Sequence, residues 1–324
     1  MKILILGAAG FIGTNLTLKY LKRNTNVQLV LYDYKMEYFN TLKKKGSNNI
    51  EFREGTFDDD TDFDEVVKGI DLVYHMISTT IPATSNYSVA DGLHDNVIVT
   101  NRLLDACVRQ KVGKIVFISS GGAVYGKENN MPLKEDAITN PISSYGIQKI
   151  SIEKLLYLYN YIYDLDYRIV RLANPFGPYQ RPDGRLGVVT TFIYKAINNE
   201  PVTIYGDGSI IRDFIYIDDA IDAILNIAEG KGCDSTGKEH KLFNVGSGEG
   251  ISINEVIKCI EKTLGKKMEI HYKEGRKSDV PINYLDISLY ESVYGKLVKH
   301  SLERGVEKTK KFFMEEIENG SEKN

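Results

Sequence analysis

The chain has 324 residues, 42% hydrophobic and 26% charged, enough at ~150 residues per domain for two domains or one large one. Its 41 Lys and Arg against 44 Asp and Glu leave a net charge of −3, which excludes a dominant polybasic surface for nucleic acid or anionic lipid. Three scattered cysteines (Cys107, Cys233, Cys259) and five unclustered histidines predict reduced thiols and no metal site. No stretch approaches the ~20 apolar residues of a membrane span, and the opening run Ile3 to Leu6 is too short for a signal-peptide core. The expectation is a soluble, cytoplasmic protein.

The first 120 residues alternate two periods. Short apolar runs at Ile3 to Leu6, Val27 to Tyr32, Leu72 to His75 and Ile115 to Ile118 read as strands buried on both faces, as in a parallel sheet. Between them, Phe11 to Arg23 and Asn96 to Gln110 have helical spacing. This order predicts a doubly wound α/β domain. Further on, Ile169 to Leu172, Val202 to Tyr205 and Lys241 to Val245 read as strands, and Asp218 to Glu229 as a helix. The Pro- and Gly-rich segment Asn174 to Gly187 is the sharpest shift in composition and a candidate crossing between domains. The last ~20 residues are charged and helical in pattern, with a fraying end.

Gly7-Ala-Ala-Gly10-Phe11-Ile12-Gly13 follows the first strand and opens a helix. Glycines there permit a tight turn, a close approach of backbone to a pyrophosphate and tight helix–strand packing. The helix N-terminus then offers free N–H groups to the phosphates. Asp33 ends the next strand, 20 residues past Gly13; a carboxylate there accepts from an adenosine ribose and repels a 2′-phosphate, favouring NAD over NADP. A glycine turn used only for packing and an Asp that merely caps a turn are the bland alternatives.

Tyr145 and Lys149 stand four apart at an expected helix start and so share one helical face. Of 21 tyrosines, Tyr145 alone has Lys four residues later. The ammonium, reinforced by a positively charged nicotinamide, is expected to lower the phenol's pKa towards neutrality. That makes a proton-transfer group suited to an alcohol undergoing oxidation. A solvated helix face is the alternative.

Taken in order, GAAGFIG, Asp33, SSGGAVYG (119–126), YGIQK (145–149), ANPFGP (173–178) and RDFIYIDD (212–219) resemble the extended short-chain dehydrogenase/reductase superfamily. More narrowly the chain resembles the NAD-dependent epimerase/dehydratase family, which includes the UDP-glucose 4-epimerases. The resemblance implies a Rossmann-type doubly wound parallel sheet with a smaller C-terminal α/β substrate domain. It places the NAD-binding domain at 1–173, with 211–245 returning to it, and the nucleotide-sugar domain at 174–210 and 246–324. It also implies tightly bound NAD, a UDP-sugar substrate epimerised at C4 through a transient 4-keto sugar, and Asn96 and Ser119 as further cofactor contacts. A homodimer through the 96–110 and 145–163 helices is implied as well; the apolar, tyrosine-rich run Leu155 to Tyr167 would follow the active-site helix start and take part, core packing being its alternative.

One departure stands out. The family usually has Ser or Thr three residues before Val-Tyr-Gly to hydrogen-bond the reacting hydroxyl, whereas this chain has Gly121. Ser120 is the expected substitute, and Ser119 the weaker candidate because strand neighbours point to opposite faces. Related dehydrating enzymes place acids just before Val-Tyr-Gly; Gly122 and Ala123 here favour simple epimerisation. In the substrate half the resemblance makes Arg212 and Arg276 partners of the diphosphate, a role suited to guanidinium groups. It sets Asn174 on the nucleotide-sugar phosphate, Asp279 beside Arg276, and Asn283 near the sugar's C2 substituent. As alternatives, Arg212 pairs with Asp213 or Asp218 on the surface, and Asn174 and Asn283 are ordinary loop residues. The rival functions are a nucleotide-sugar reductase or dehydrogenase with net redox turnover, and a catalytically impaired NAD-binding protein.

Overall fold

A computed structural model describes residues 1–23, 26–44, 49–127, 130–182, 187–275 and 280–321. The expected apolar runs form the centre of a seven-stranded parallel sheet. Its first six strands are β1 (Lys2–Leu6), β2 (Gln28–Asp33), β3 (Ile50–Glu54), β4 (Leu72–His75), β5 (Lys114–Ser120) and β6 (Asp166–Leu172). The chain then forms β7 (Asn174–Phe176), β8 (Val202–Tyr205), β9 (Ile211–Arg212) and β10 (Phe214–Tyr216) before re-entering the main sheet as β11 (Leu242–Val245). The sheet order is β11-β6-β5-β4-β1-β2-β3, and every neighbouring pair is parallel. Order reverses between β1 and β4, so a crevice opens above their C-terminal ends, where such sheets bind dinucleotides.

Burial explains the strands. Ile3 and Ile5 of β1 enter the core on one face of the sheet while Leu4 and Leu6 enter the core on the other, as a period of two requires. The edge strand β3 was not expected. Its sequence, IEFRE, is only partly buried, so it lacks the continuous apolar run that marks the central strands.

Outside the main sheet the strands are short. β7 pairs with β10, and β8 with β13 (Ile270–Lys273). β9 lies between β12 (Ile251–Ser252) and β14 (Ile282–Asn283). The helix Ile253–Leu264 begins with a capping box in which Ser252 and Glu255 satisfy each other's backbone N–H groups, and it stops at left-handed Gly265. The C-terminal helix Leu302–Ser321 buries Val306 and Phe313 against the second half.

Two segments differ from expectation. Asn96 to Gln110 divides into a π-helical turn, His94–Ile98, and an α-helix, Val99–Arg109. The tyrosine-rich run Leu155 to Tyr167 is not one element: the helix Ser144–Tyr163 closes at Asp164, whose φ is 57°, and Tyr167 is a buried residue of β6. Among the described residues no helix is long and apolar enough to cross a membrane.

Candidate active site

The crevice above β1 and β4 widens into a cleft of about 870 Å³, within the usual range for small-molecule sites. Its floor is the glycine turn. Gly7 has φ +82°, a conformation that side chains disfavour. A Cβ on Gly13 would lie 2.4 Å from the Gly7 carbonyl oxygen and 2.7 Å from Ala8 Cα. Only glycine lets the helix Phe11–Arg23 start this close to the strand. Gly10, Phe11 and Ile12 line the cleft with it, and the first helical N–H groups have no carbonyl one turn below.

Asp33 closes one end. Its carboxylate accepts from the Ala9 N–H at 2.9 Å and from the Tyr34 N–H at 2.9 Å. Burial pushes its pKa up, opposed by those two N–H groups and by the charge of Arg181. Two backbone donors fix the carboxyl, and its remaining lone pairs suit a diol. The turn, the helix end and this fixed carboxylate together fit the pyrophosphate and adenosine ribose of NAD.

At the other end Ser120, Tyr145 and Lys149 converge. Ser120 ends β5 and lines the cleft with Tyr145, whose phenol it faces closely enough to oppose the rise in its pKa. Ser143 caps the helix Ser144–Tyr163 by accepting from the Gly146 N–H, and this sets Tyr145 in the first turn. Lys149 donates to the Ile118 carbonyl at 3.1 Å. Its ammonium lies 4.7 Å from the centre of the Phe117 ring and 5.5 Å from that of Tyr145.

The expected fall in the Tyr145 pKa is not a property of the protein alone. Burial pushes it up to about 12, with the Ser120 hydroxyl opposing. Burial also pulls Lys149 down to about 8, opposed by the charge of Glu153. The ammonium sits over the phenol ring, so desolvation outweighs it.

Ser119 and Ser120 point to opposite sides of β5. The Ser119 hydroxyl donates to Glu153 Oε1 at 2.6 Å, so although Ser119 borders the cleft its hydroxyl is committed elsewhere. Gly121 has a steric reason: a Cβ there would meet Leu285 Cδ1 at 2.5 Å and the Arg171 carbonyl oxygen at 3.2 Å. The backbone at 121 is pressed against the second half of the molecule, leaving Ser120 as the hydroxyl beside Tyr145.

Asn96 is not among the residues lining the cleft. Its amide accepts from the Thr79 N–H at 2.9 Å and donates to Thr79 Oγ1 and the Gly92 carbonyl. It therefore acts on the cleft through Thr79, a lining residue that the motif reading missed.

The substrate-half residues are arranged less directly. Asn174 lines the cleft and donates from Nδ2 to the Asp213 carbonyl at 2.8 Å. Arg212 donates to the carbonyls of Ile211 and Val280 at 2.8 and 2.6 Å and is not among the lining residues. Asn283 is its register partner across β9 and β14; it is buried, and its Nδ2 reaches the Gly122 carbonyl at 3.5 Å. Asn283 thus sits behind the turn that follows Ser120, outside the cleft lining. Arg276 and Asp279 lie outside the described residues.

Asp213, which the sequence offers only as a surface partner for Arg212, is fully buried. Its carboxylate accepts from the backbone N–H groups of Ser247, Gly248 and Leu285 and from the Ser247 hydroxyl. Arg181, Glu153 and Arg171 were also missed. Of these only Glu153, four residues beyond Lys149 on the same helical face, left a signal in the sequence.

Comparison with known proteins gives the site a family. The model of the NAD dependent epimerase/dehydratase family matches residues 3–246. The chain is 32% identical to the UDP-glucose 4-epimerase of Mycolicibacterium smegmatis, over 97% of this chain and 98% of that one. Its fold superposes on the Thermotoga maritima UDP-glucose 4-epimerase solved with UDP-glucose at a TM-score of 0.88 and 32% identity, covering 98% and 100% of the two chains. It also superposes on the Bacillus cereus UDP-glucuronic acid 4-epimerase solved with UDP-glucuronic acid and NAD, at a TM-score of 0.86 and 29% identity, covering 97% and 99%. With the glycine turn, the fixed Asp33 and the Ser120–Tyr145–Lys149 cluster in one cleft, the chain belongs to the NAD-dependent epimerase/dehydratase family.

Proposed function

We propose that the protein is a UDP-sugar 4-epimerase that retains its NAD and works through a 4-keto sugar. The observation that carries this reading is the meeting of Ser120, Tyr145 and Lys149 at one end of a cleft whose other end is built for a dinucleotide. Bound NAD supplies a reversible oxidation at C4. Tyr145 takes the proton of the 4-hydroxyl, and Ser120 holds that oxygen in line. The Lys149 ammonium favours the phenolate as the proton leaves. The keto sugar, planar at C4, then turns its other face to the site for the reverse reduction, and Tyr145 returns the proton to the C4 oxygen. Gly122 and Ala123 put no acid beside the neighbouring carbon, which favours inversion over elimination.

In this reading the Gly7 to Gly13 turn carries the pyrophosphate and Asp33 the adenosine ribose. Asn174 and Arg212, with Arg276 from the sequence resemblance, carry the substrate's diphosphate, and Asp279 binds substrate beside Arg276. Asn283 bears on the sugar's C2 substituent from behind the Ser120–Gly122 turn. Residues 1–173 and 211–245 form the cofactor domain, and the remainder forms the substrate domain. A homodimer is supported by the apolar face of helix Ser144–Tyr163, where Ile147, Tyr157, Leu158, Tyr161 and Ile162 are exposed, as is Ile98.

The test is to give the purified protein UDP-glucose, UDP-N-acetylglucosamine and UDP-glucuronate without added cofactor and resolve the products by NMR. Inversion at C4 of at least one sugar is expected. A net redox product that requires added NAD or NADH would support a dehydrogenase or reductase instead, and unchanged sugars would support an impaired NAD-binding protein.

A further inference from the structure

Behind the catalytic cluster lies a second group of buried charges that the proposed reaction does not use. Glu153 stands one helical turn beyond Lys149, and its side chain is 4% exposed. Arg171 of β6, with a side chain 6% exposed, donates from Nε to Glu153 Oε1 at 3.1 Å and from Nη2 to Oε2 at 2.7 Å. Oε1 also accepts the Ser119 hydroxyl at 2.6 Å. The third Arg171 donor reaches the Glu135 carbonyl at 3.1 Å, and its guanidinium lies 4.8 Å from the centre of the Tyr125 ring. The Tyr125 hydroxyl donates to Asn244, and the Asn244 amide donates to the carbonyls of Leu133 and Asp286.

Burying an ion pair does not by itself favour folding. Replacement by packed apolar groups is often neutral or stabilising, so a pair in this position invites a role. Its surroundings indicate one. Lys149 is packed among the Ile118 carbonyl and Phe117 ring of β5 and the Tyr145 ring of its own helix, and on the far side of Phe117 stands His75 of β4, which feels its charge. His75 is fully buried and its pKa is pulled down to about 3, so it stays neutral. Arg171 is a cation held by Glu153. Among the described groups facing Lys149, Glu153 is the one whose negative charge supports the ammonium.

We propose that Glu153 is the positioning residue of the catalytic cluster: clamped by Arg171 and Ser119, its carboxylate keeps Lys149 charged and anchors the end of β5 that presents Ser120. The anchoring follows from the register. Ser119 and Ser120 pair with Arg171 and Leu172, so one carboxylate binds adjacent strands and the catalytic helix at the same level. This inference rests on Lys149 acting as the proposed function assigns it.

The experiment is Glu153→Gln, which keeps the shape and an acceptor for Ser119 but removes the charge. The Lys149 ammonium is followed directly by NMR of protein labelled with [13Cε]lysine, its signal assigned by loss in Lys149→Met. In the wild type it is expected to titrate near 8. Without the facing carboxylate the midpoint is expected to fall by about one pH unit or more. The alkaline limb of kcat should move the same way, so that activity falls about tenfold further at pH 8.5 than at pH 6.5, with KM for the UDP-sugar nearly constant. Glu153→Gln leaves Arg171 buried without a partner. The double variant Glu153→Gln/Arg171→Gln removes both charges and carries the same test if the single variant does not fold. A Lys149 midpoint unchanged in either folded variant, or a kcat loss equal at all pH values, would overturn the proposal. The NMR titration needs no turnover, so it still decides the Glu153–Lys149 coupling if no UDP-sugar is epimerised.

Discussion

The two ends of the cleft are built by different means. At the cofactor end, the glycine turn, the helix start and Asp33 all come from one stretch, Gly7 to Asp33, and each position has a local geometric reason. Around the other end, in the proposed substrate half, Asn174, Arg212 and Asn283 come from three separate segments; Asn174 alone of the three lines the cleft, and contacts through Asp213 hold the segments in register. Its carbonyl holds Asn174 and its carboxylate holds Leu285, two residues past Asn283. A local device fails locally. An assembled one fails as a whole when its hub is removed.

The largest expected effect lies at the Ser120–Tyr145–Lys149 cluster. Tyr145→Phe should lower kcat ~10²–10⁴-fold, the usual loss for a general acid/base, while NAD stays bound and KM changes little; steady-state kinetics and the absorbance of retained cofactor check this. Asp213→Ala should act on the assembled end. It strands the buried Leu285 N–H at a cost of ~1–3 kcal/mol, and the half-buried Ser247 and Gly248 N–H groups with it, and thermal unfolding should show the loss. KM for the UDP-sugar should rise while the cofactor-end geometry persists.

Asp33→Ala should stay local. Loss of hydrogen bonds to a charged carboxylate, ~1.5–3 kcal/mol, should weaken NAD binding but not NADP binding, as read by calorimetry. An equal loss for both cofactors would remove the ribose assignment. The smallest effect is expected from Gly121→Ser. Its side chain meets Leu285, so overpacking should cost ~1–3 kcal/mol of stability without raising kcat. A gain in activity would instead mean that the missing hydroxyl belongs at 121 and that Ser120 is not its substitute.

The cofactor end was the more legible in the sequence because its signals are contiguous. The strand–turn–helix order gave the helix Phe11–Arg23 to the residue, and β8 likewise at Val202–Tyr205. What was hidden is tertiary. Asp213 and Arg171 look like surface charges in a sequence, and only the packing of distant segments buries them. The π-helical turn at His94–Ile98 leaves no trace in apolar spacing, since it comes with the hold of Asn96 on Thr79 and Gly92. The tyrosine run concealed a helix end because Asp164, a non-glycine residue, adopts the left-handed conformation there.

The central claim is that the hydrogen removed from C4 is the one returned to it. The direct measurement is epimerisation in deuterium oxide, with an accepted UDP-sugar, no added cofactor, and the product's C4 hydrogen read by NMR. The account predicts C4 inversion to the equilibrium mixture with protium retained at C4, because the hydrogen leaves and returns without meeting solvent while only the hydroxyl proton passes through Tyr145. Deuterium at C4 of the product would contradict it, since inversion would then proceed by exchange with water rather than by a retained oxidation and reduction.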